Sequence, residues 1–166
     1  MDSEILEQLY VRYYKSALLY TLSLCGNREN AEEIVADAFV KAYLSFSKDH
    51  TSFQYWLLRV CRNLWIDNLR RQKRIADDSH NELLNIADDN TPEANLLRDE
   101  RLVTLYRCIR LLPKKEQELL ILHYFSKLPL REIALMYQVT PGSIKTRIFR
   151  ARQNLKKLME DNGYGF

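Results

Sequence analysis

The chain has 166 residues, 46% of them hydrophobic and 28% charged, an ordinary globular balance that excludes wholesale disorder and low-complexity character. Four Gly and four Pro supply too little turn chemistry for an all-β sandwich, so an all-α fold is expected. The net charge of +3 conceals a segregation: 5 basic against 8 acidic residues over 1–58, 6 against 1 over 59–74, 1 against 8 over 75–100, and 13 against 5 over 101–166.

From Ser3 to about Leu24 the residues Leu6, Leu9, Tyr13, Ala17, Tyr20 and Leu24 recur at steps of three and four, which predicts a helix with one buried stripe. Gly26 should end it and Asn27 should cap the next helix. That helix, about Arg28 to Phe46, carries a broad apolar face of Ala31, Ile34, Val35, Ala38, Phe39, Ala42, Tyr43 and Phe46, with acids opposite. After the polar stretch Ser45–Ser52, Thr51 and Gln54 read as a capping box for a third helix reaching about Lys73. Its Leu57, Val60, Cys61 and Leu64 share one face, and Arg59, Arg62, Asn63 and Arg70 share another. Residues Ile75–Asn90 repeat IADD and are acidic and weakly periodic, as a flexible linker would be.

Thr91-Pro92-Glu93 has the capping hydroxyl, first-turn Pro and acid of a helix start. Helix should follow to about Leu112, with Leu96, Leu97, Leu102, Leu105, Ile109 and Leu112 facing inward and Pro113 as the stop. Lys115–Phe125 is the next expected helix, bearing Leu119, Leu120, Leu122 and Tyr124. Leu130–Tyr137, the short Gln138-Val139-Thr140, and Pro141 to about Met159 then form a helix-turn-helix. The expected architecture is two small helical domains joined by an acidic linker, with boundaries at 1–75, 76–92 and 93–166.

No apolar run approaches the roughly 18 residues a bilayer span requires, and the amino terminus lacks a signal-peptide layout, so a cytoplasmic location is expected. Cys25, Cys61 and Cys108 are odd in number and widely spaced, and read as reduced, mostly buried thiols. No spacing suits zinc, and His50, His80 and His123 are scattered, so neither metal nor cofactor is expected. Two cationic segments separated by an acidic one suggest two polyanion-binding bodies and a connector that is not one.

In the last helix, Ile144, Ile148, Ala151, Leu155 and Leu158 should face inward. Lys145, Thr146, Phe149, Arg150 and Gln153 then point outward, flanked by Ser143, Arg147 and Arg152. Such a face suits the major groove, where Arg or Lys donates to guanine and Thr or Phe touches a thymine methyl. The first turn, Pro141-Gly142-Ser143, offers backbone N–H groups for a phosphate. In the third helix, Tyr55, Trp56 and Trp65 lie among cations, a combination that suits unpaired bases, although Trp56 is better read as core. The cluster Arg59, Arg62 and Asn63 is harder to assign to packing.

The stretch Glu132–Met159, with Leu112-Pro113 upstream, resembles the carboxy-terminal promoter-binding domain of extracytoplasmic-function (ECF) sigma factors of the sigma-70 family. Asn30–Tyr43 and Phe53–Arg74 resemble the amino-terminal domain of the same family, so the likeness covers nearly the whole chain. One position departs: Gln138 stands where the family usually has Gly. The resemblance implies a factor without catalytic residues that binds core RNA polymerase and directs promoter-specific initiation. It implies −35 duplex contacts from Lys145, Thr146, Phe149 and Arg150 to bases and from Ser143, Arg147 and Arg152 to phosphates. It implies −10 contacts from the loop containing Lys48, Asp49 and His50 and from Arg59, Arg62, Asn63 and Arg70 on the non-template strand. Glu33, Asp37, Val40 and Lys41 would dock on the β′ clamp helices, the β flap would be a second polymerase contact, and the linker would pass through the RNA channel region. An anti-sigma factor is a further implied partner.

Rival readings are weaker. A metal-dependent nuclease built on Glu29, Glu32, Glu33 and Asp37 lacks carboxylates converging from separate elements. A stand-alone helix-turn-helix regulator needs a dimer, and the first half offers no heptad seam. A mimic that sequesters a regulator should have lost DNA-facing cations, and Arg59, Arg62, Lys145, Arg147 and Arg150 are present.

Overall fold

The computed structural model describes residues 2–47, 52–76, 97 and 99–163. Among them are seven helices and no strand: α1 (Ser3–Cys25), α2 (Arg28–Ser45), α3 (Phe53–Ala76), α4 (Glu100–Ile109), α5 (Lys114–Tyr124), α6 (Leu130–Tyr137) and α7 (Pro141–Asp161). The chain divides into two units, Met1–Thr91 and Pro92–Phe166. Residues 77–92 of the expected linker, and the expected helix start at Thr91-Pro92-Glu93, lie outside the described residues. No described helix is long and apolar enough to cross a membrane.

In the first unit α1, α2 and α3 pack pairwise. Asp2 caps α1 by accepting from the Glu4 N–H at 3.0 Å, and Gly26 ends it in the left-handed region at φ 68°. Asn27 caps α2 as expected, its Oδ1 accepting from the Asn30 N–H at 3.1 Å. The single stripe expected on α1 is corrected: Ala17 through Cys25 is buried at every position, in the helix that both α2 and α3 pack against. The two hydroxyls caught in that stretch are satisfied locally, Thr21 donating to the Ala17 carbonyl and Ser23 to the Tyr20 carbonyl, which removes the cost of burying them. The apolar face of α2 is narrower than expected, since Tyr43 is 47% exposed.

Helix α3 starts one residue later than the capping-box reading: Ser52 Oγ accepts from the Tyr55 N–H at 3.2 Å, and Thr51 lies outside the described residues. Leu57, Leu58 and Cys61 are fully buried. The Cys61 thiol is pushed up to about 12 by burial, so it is a neutral core group, and Cys25 and Cys108 are buried thiols as well, neither of them in a disulfide.

In the second unit α5 and α6 pack on α7, with α4 against α5 and α7. Helix α4 ends at Ile109 rather than near Leu112. The next residues form a tight turn, with Leu111 and Leu112 donating to the carbonyls of Cys108 and Ile109 at 3.1 and 3.0 Å. The Gln117 side chain closes it from α5, Nε2 donating to the Arg110 and Leu112 carbonyls at 3.0 and 2.6 Å. Leu102, expected inside, is 41% exposed, while Tyr106, Cys108 and Ile109 are buried.

The turn of the helix-turn-helix is made by Gln138 at φ 56° and ψ 44°. The reversal lets the Val139 N–H reach back to the Ala134 carbonyl at 3.0 Å, a Schellman-type closure in which Gly is the easier residue. Gln138 therefore adopts a left-handed conformation that Gly would take freely, at a steric cost.

Candidate nucleic-acid interface

Helix α7 is seated by Ile144, Ile148, Ala151, Leu155 and Met159, all buried. Leu158, expected to be the fifth seat, is half-buried and Met159 takes its place. Because 3.6 residues make a turn, that seam turns Lys145, Thr146, Arg147, Phe149, Arg150 and Arg152 outward, and all six are exposed, Phe149 to 59%. A large aromatic left this open on a well-packed unit is informative, since burying it would stabilise the fold by roughly 1.5–3 kcal/mol.

The first turn of α7 is more self-satisfied than the sequence suggested. Thr140 is the N-cap, its Oγ1 accepting from the Ser143 N–H at 3.2 Å, and the Ile144 N–H bonds the Thr140 carbonyl at 3.2 Å. Pro141 has no N–H and the Ser143 N–H is taken by Thr140, so the backbone N–H groups expected of this turn reduce to that of Gly142, and half-buried Ser143 can meet a phosphate only through its hydroxyl. Thr146 donates its hydroxyl hydrogen to the Gly142 carbonyl at 3.1 Å, which leaves its methyl group and oxygen lone pairs facing out.

Two side chains from outside α7 complete this face. His123, near the end of α5, and Leu130, at the start of α6, line a cleft of about 410 Å³ together with Lys145, Thr146, Ile148, Phe149 and Arg152. Burial, and secondarily the Arg152 charge, lowers the His123 pKa below the ordinary value of 6.5. Nothing in the local sequence marked His123, because its membership depends on the packing of α5 against α7.

On α3, Arg59, Asn63 and Arg70 are exposed and Arg62 is half-buried. Spacings of three, four, seven and eleven put them on one face, with the Arg59 guanidinium 5.7 Å from the centroid of the Tyr55 ring. The base-stacking reading of Tyr55 and Trp65 is corrected: they are 4% and 9% exposed and belong to the core. Trp56 is half-buried, packed edge-on to Phe46 at 5.4 Å and alongside Phe53 at 6.2 Å. Lys48, Asp49 and His50 lie outside the described residues.

On α2, Glu33, Asp37, Val40 and Lys41 are all exposed along one face, Val40 to 59%. Leu44, one turn on and 74% exposed, extends it. An exposed Leu in a helix was not legible as a surface group without knowing which arc is buried. Among the described residues no cluster of His, Cys, Asp and Glu could hold a metal.

Family models described as Sigma-70 region 2 and Sigma-70, region 4 match residues 9–75 and 102–155. The ECF RNA polymerase sigma factor SigM of Bacillus subtilis is 29% identical over 157 residues, covering 92% of this chain and 94% of that protein. SigW of the same organism, also an ECF RNA polymerase sigma factor, is 32% identical over 149 residues, covering 83% and 80%. In structure, the sigma factor RpoE of Bartonella quintana, crystallised with the anti-sigma factor NepR, superposes with a TM-score of 0.73 at 23% identity, covering 93% of this chain and 96% of that one.

Proposed function

The chain belongs to the sigma-70 family, among the ECF RNA polymerase sigma factors, and from that premise we infer that its two units divide promoter recognition between them. It directs promoter-specific transcription initiation. A stand-alone regulator is overturned, because the relatives match across both units rather than the helix-turn-helix alone.

In this reading residues 1–75 are the region 2 domain, 76–92 the linker and 93–166 the region 4 domain. Glu33, Asp37, Val40 and Lys41 dock on the β′ clamp helices of core polymerase. An exposed apolar residue ringed by charges is what a specific but reversible contact uses. Arg59, Arg62, Asn63 and Arg70, with the 48–52 loop, take the non-template strand of the opened −10 element. The outward face of α7 enters the −35 major groove, with Lys145, Thr146, Phe149 and Arg150 on base edges and Ser143, Arg147 and Arg152 on phosphates. Tethering the two units makes the second contact intramolecular, so each half alone binds promoter weakly.

The observation that carries this reading is the arc of exposed cations and Phe149 over a fully buried seam on α7. The polymerase performs the chemistry, and this chain supplies no catalytic residue. It acts where the polymerase is, in the cytoplasm, with the β flap as a second polymerase contact and an anti-sigma factor as its inhibitor, as NepR is the partner of RpoE. Run-off transcription with core polymerase and a genomic promoter library tests the reading. Discrete start sites that depend on added protein support it; identical transcription with and without the protein refutes it.

A further inference from the structure

The cleft beside α7 has a floor and a rim of different chemistry. Leu130, Ile148 and Phe149 are apolar, while His123, Lys145 and Arg152 supply two cations and an imidazole, and no carboxylate lines it. That pairing matches a deoxyribose ring followed by a phosphate better than a base edge, which would need matched donors and acceptors. The cleft is continuous with the arc that holds Phe149 and Arg150, so a backbone tracking past α7 runs over it.

We propose that this cleft seats one sugar–phosphate unit of the duplex that α7 enters, with the sugar against Leu130 and Ile148 and the His123 imidazole donating to the phosphate beside Arg152. This rests on the reading of α7 as the −35 helix and adds to it a contact from α5, outside the helix-turn-helix.

The groups facing His123 make the contact a proton-linked one. From α7 come Lys145 and Arg152; from α6 comes only the apolar Leu130; no residue of α4 lines the cleft. On α5 its ring neighbour is Tyr124, at 4.9 Å between centroids. In the free protein the surroundings are apolar or cationic and disfavour the imidazolium. A phosphate in the cleft reverses that field and favours it. DNA binding then takes up a proton at His123. Affinity rises as pH falls through the window between the DNA-bound and free values, with no further gain below the free one.

The contact is to backbone and carries no sequence preference, so a random-sequence duplex of about 20 base pairs is an adequate probe. Full-length protein is titrated with it from about pH 8 to about pH 5.5 at several salt concentrations. Wild type should gain roughly threefold to tenfold in affinity, with a log–log salt slope steeper by up to about 0.9 at the acid end. His123→Gln should lose both gains relative to wild type. An imidazole NMR titration of wild type, free and duplex-bound, needs no variant: the His123 pKa should rise on binding. An unmoved His123 titration, or a wild-type acid gain in His123→Gln, overturns the proposal. Arg150→Ala separates it from its premise. If that variant loses discrimination among −35 sequence variants while His123 fails its tests, the cleft is wrong and α7 is right; if it discriminates among them as wild type does, the −35 reading itself has failed.

Discussion

Asn154 of α7 donates from Nδ2 to Oε1 of Glu116, 2.9 Å away in the first turn of α5 and 38 residues earlier in the chain. A second bond does the same for α6, where the Tyr137 hydroxyl donates to Oε2 of Glu118 at 2.9 Å. Both helices of the helix-turn-helix are thus pinned to one scaffold helix by polar contacts that lie beside the apolar seam. The other oxygen of Glu116 is buried without a hydrogen-bond partner among the described residues, so the Asn154 bond is what offsets its desolvation.

Asn154→Ala should therefore cost the second unit about 1 kcal/mol or somewhat more, because it strips a partner from a partly buried carboxylate. Urea unfolding followed by circular dichroism reads it. An unchanged midpoint would show that water replaces Asn154 without loss.

Gln138→Gly should stabilise the protein. The residue sits at φ 56°, where a side chain costs about 1 kcal/mol that Gly avoids, less the extra entropy Gly carries in the unfolded chain. A net gain of about 0.5 kcal/mol is expected, with promoter affinity retained. A lower unfolding midpoint would mean that the Gln138 side chain makes a compensating contact.

Arg150→Ala should lose about 1 to 3 kcal/mol at one base pair of the −35 element and relax selection there. Binding to a library of −35 variants measures it. Equal loss on every sequence would reassign Arg150 to the phosphates.

Asp37→Arg should abolish association with core polymerase, since it reverses charge in the middle of the exposed α2 face while touching no buried group. Co-purification is the measurement, and normal recovery with polymerase would move the docking surface elsewhere.

Cys61 gives a pH prediction. Its folded value is raised from 9.0 to about 12 by burial, so the folded state holds its proton more tightly than the unfolded one. The corresponding stability is complete below about pH 9 and declines as pH rises through about 12. Native protein at pH 8 should accordingly leave Cys61 unmodified by a thiol reagent, and unfolding should expose it. Rapid labelling of Cys61 in the native state would contradict the packing of α1 on α3.

Composition and spacing alone determined that the chain is helical, that its acids and cations are segregated, and that Pro141–Met159 presents a cationic arc. These properties follow from the 3.6-residue period and from caps such as Asn27 and Gly26, which act within a few residues. The family was legible through the resemblance of Glu132–Met159 and Phe53–Arg74 to its two domains, which the matches to Sigma-70 regions 2 and 4 bear out. Tertiary structure decided what depends on neighbours distant in sequence. It decided that Ala17–Cys25 is buried on all sides, that Tyr55 and Trp65 are core rather than base platforms, and that Leu44 and Leu102 are surface. It also decided that His123 belongs beside Arg152. Whether an aromatic or a histidine faces solvent depends on which other helix covers it, and that information is absent from its own helix's periodicity.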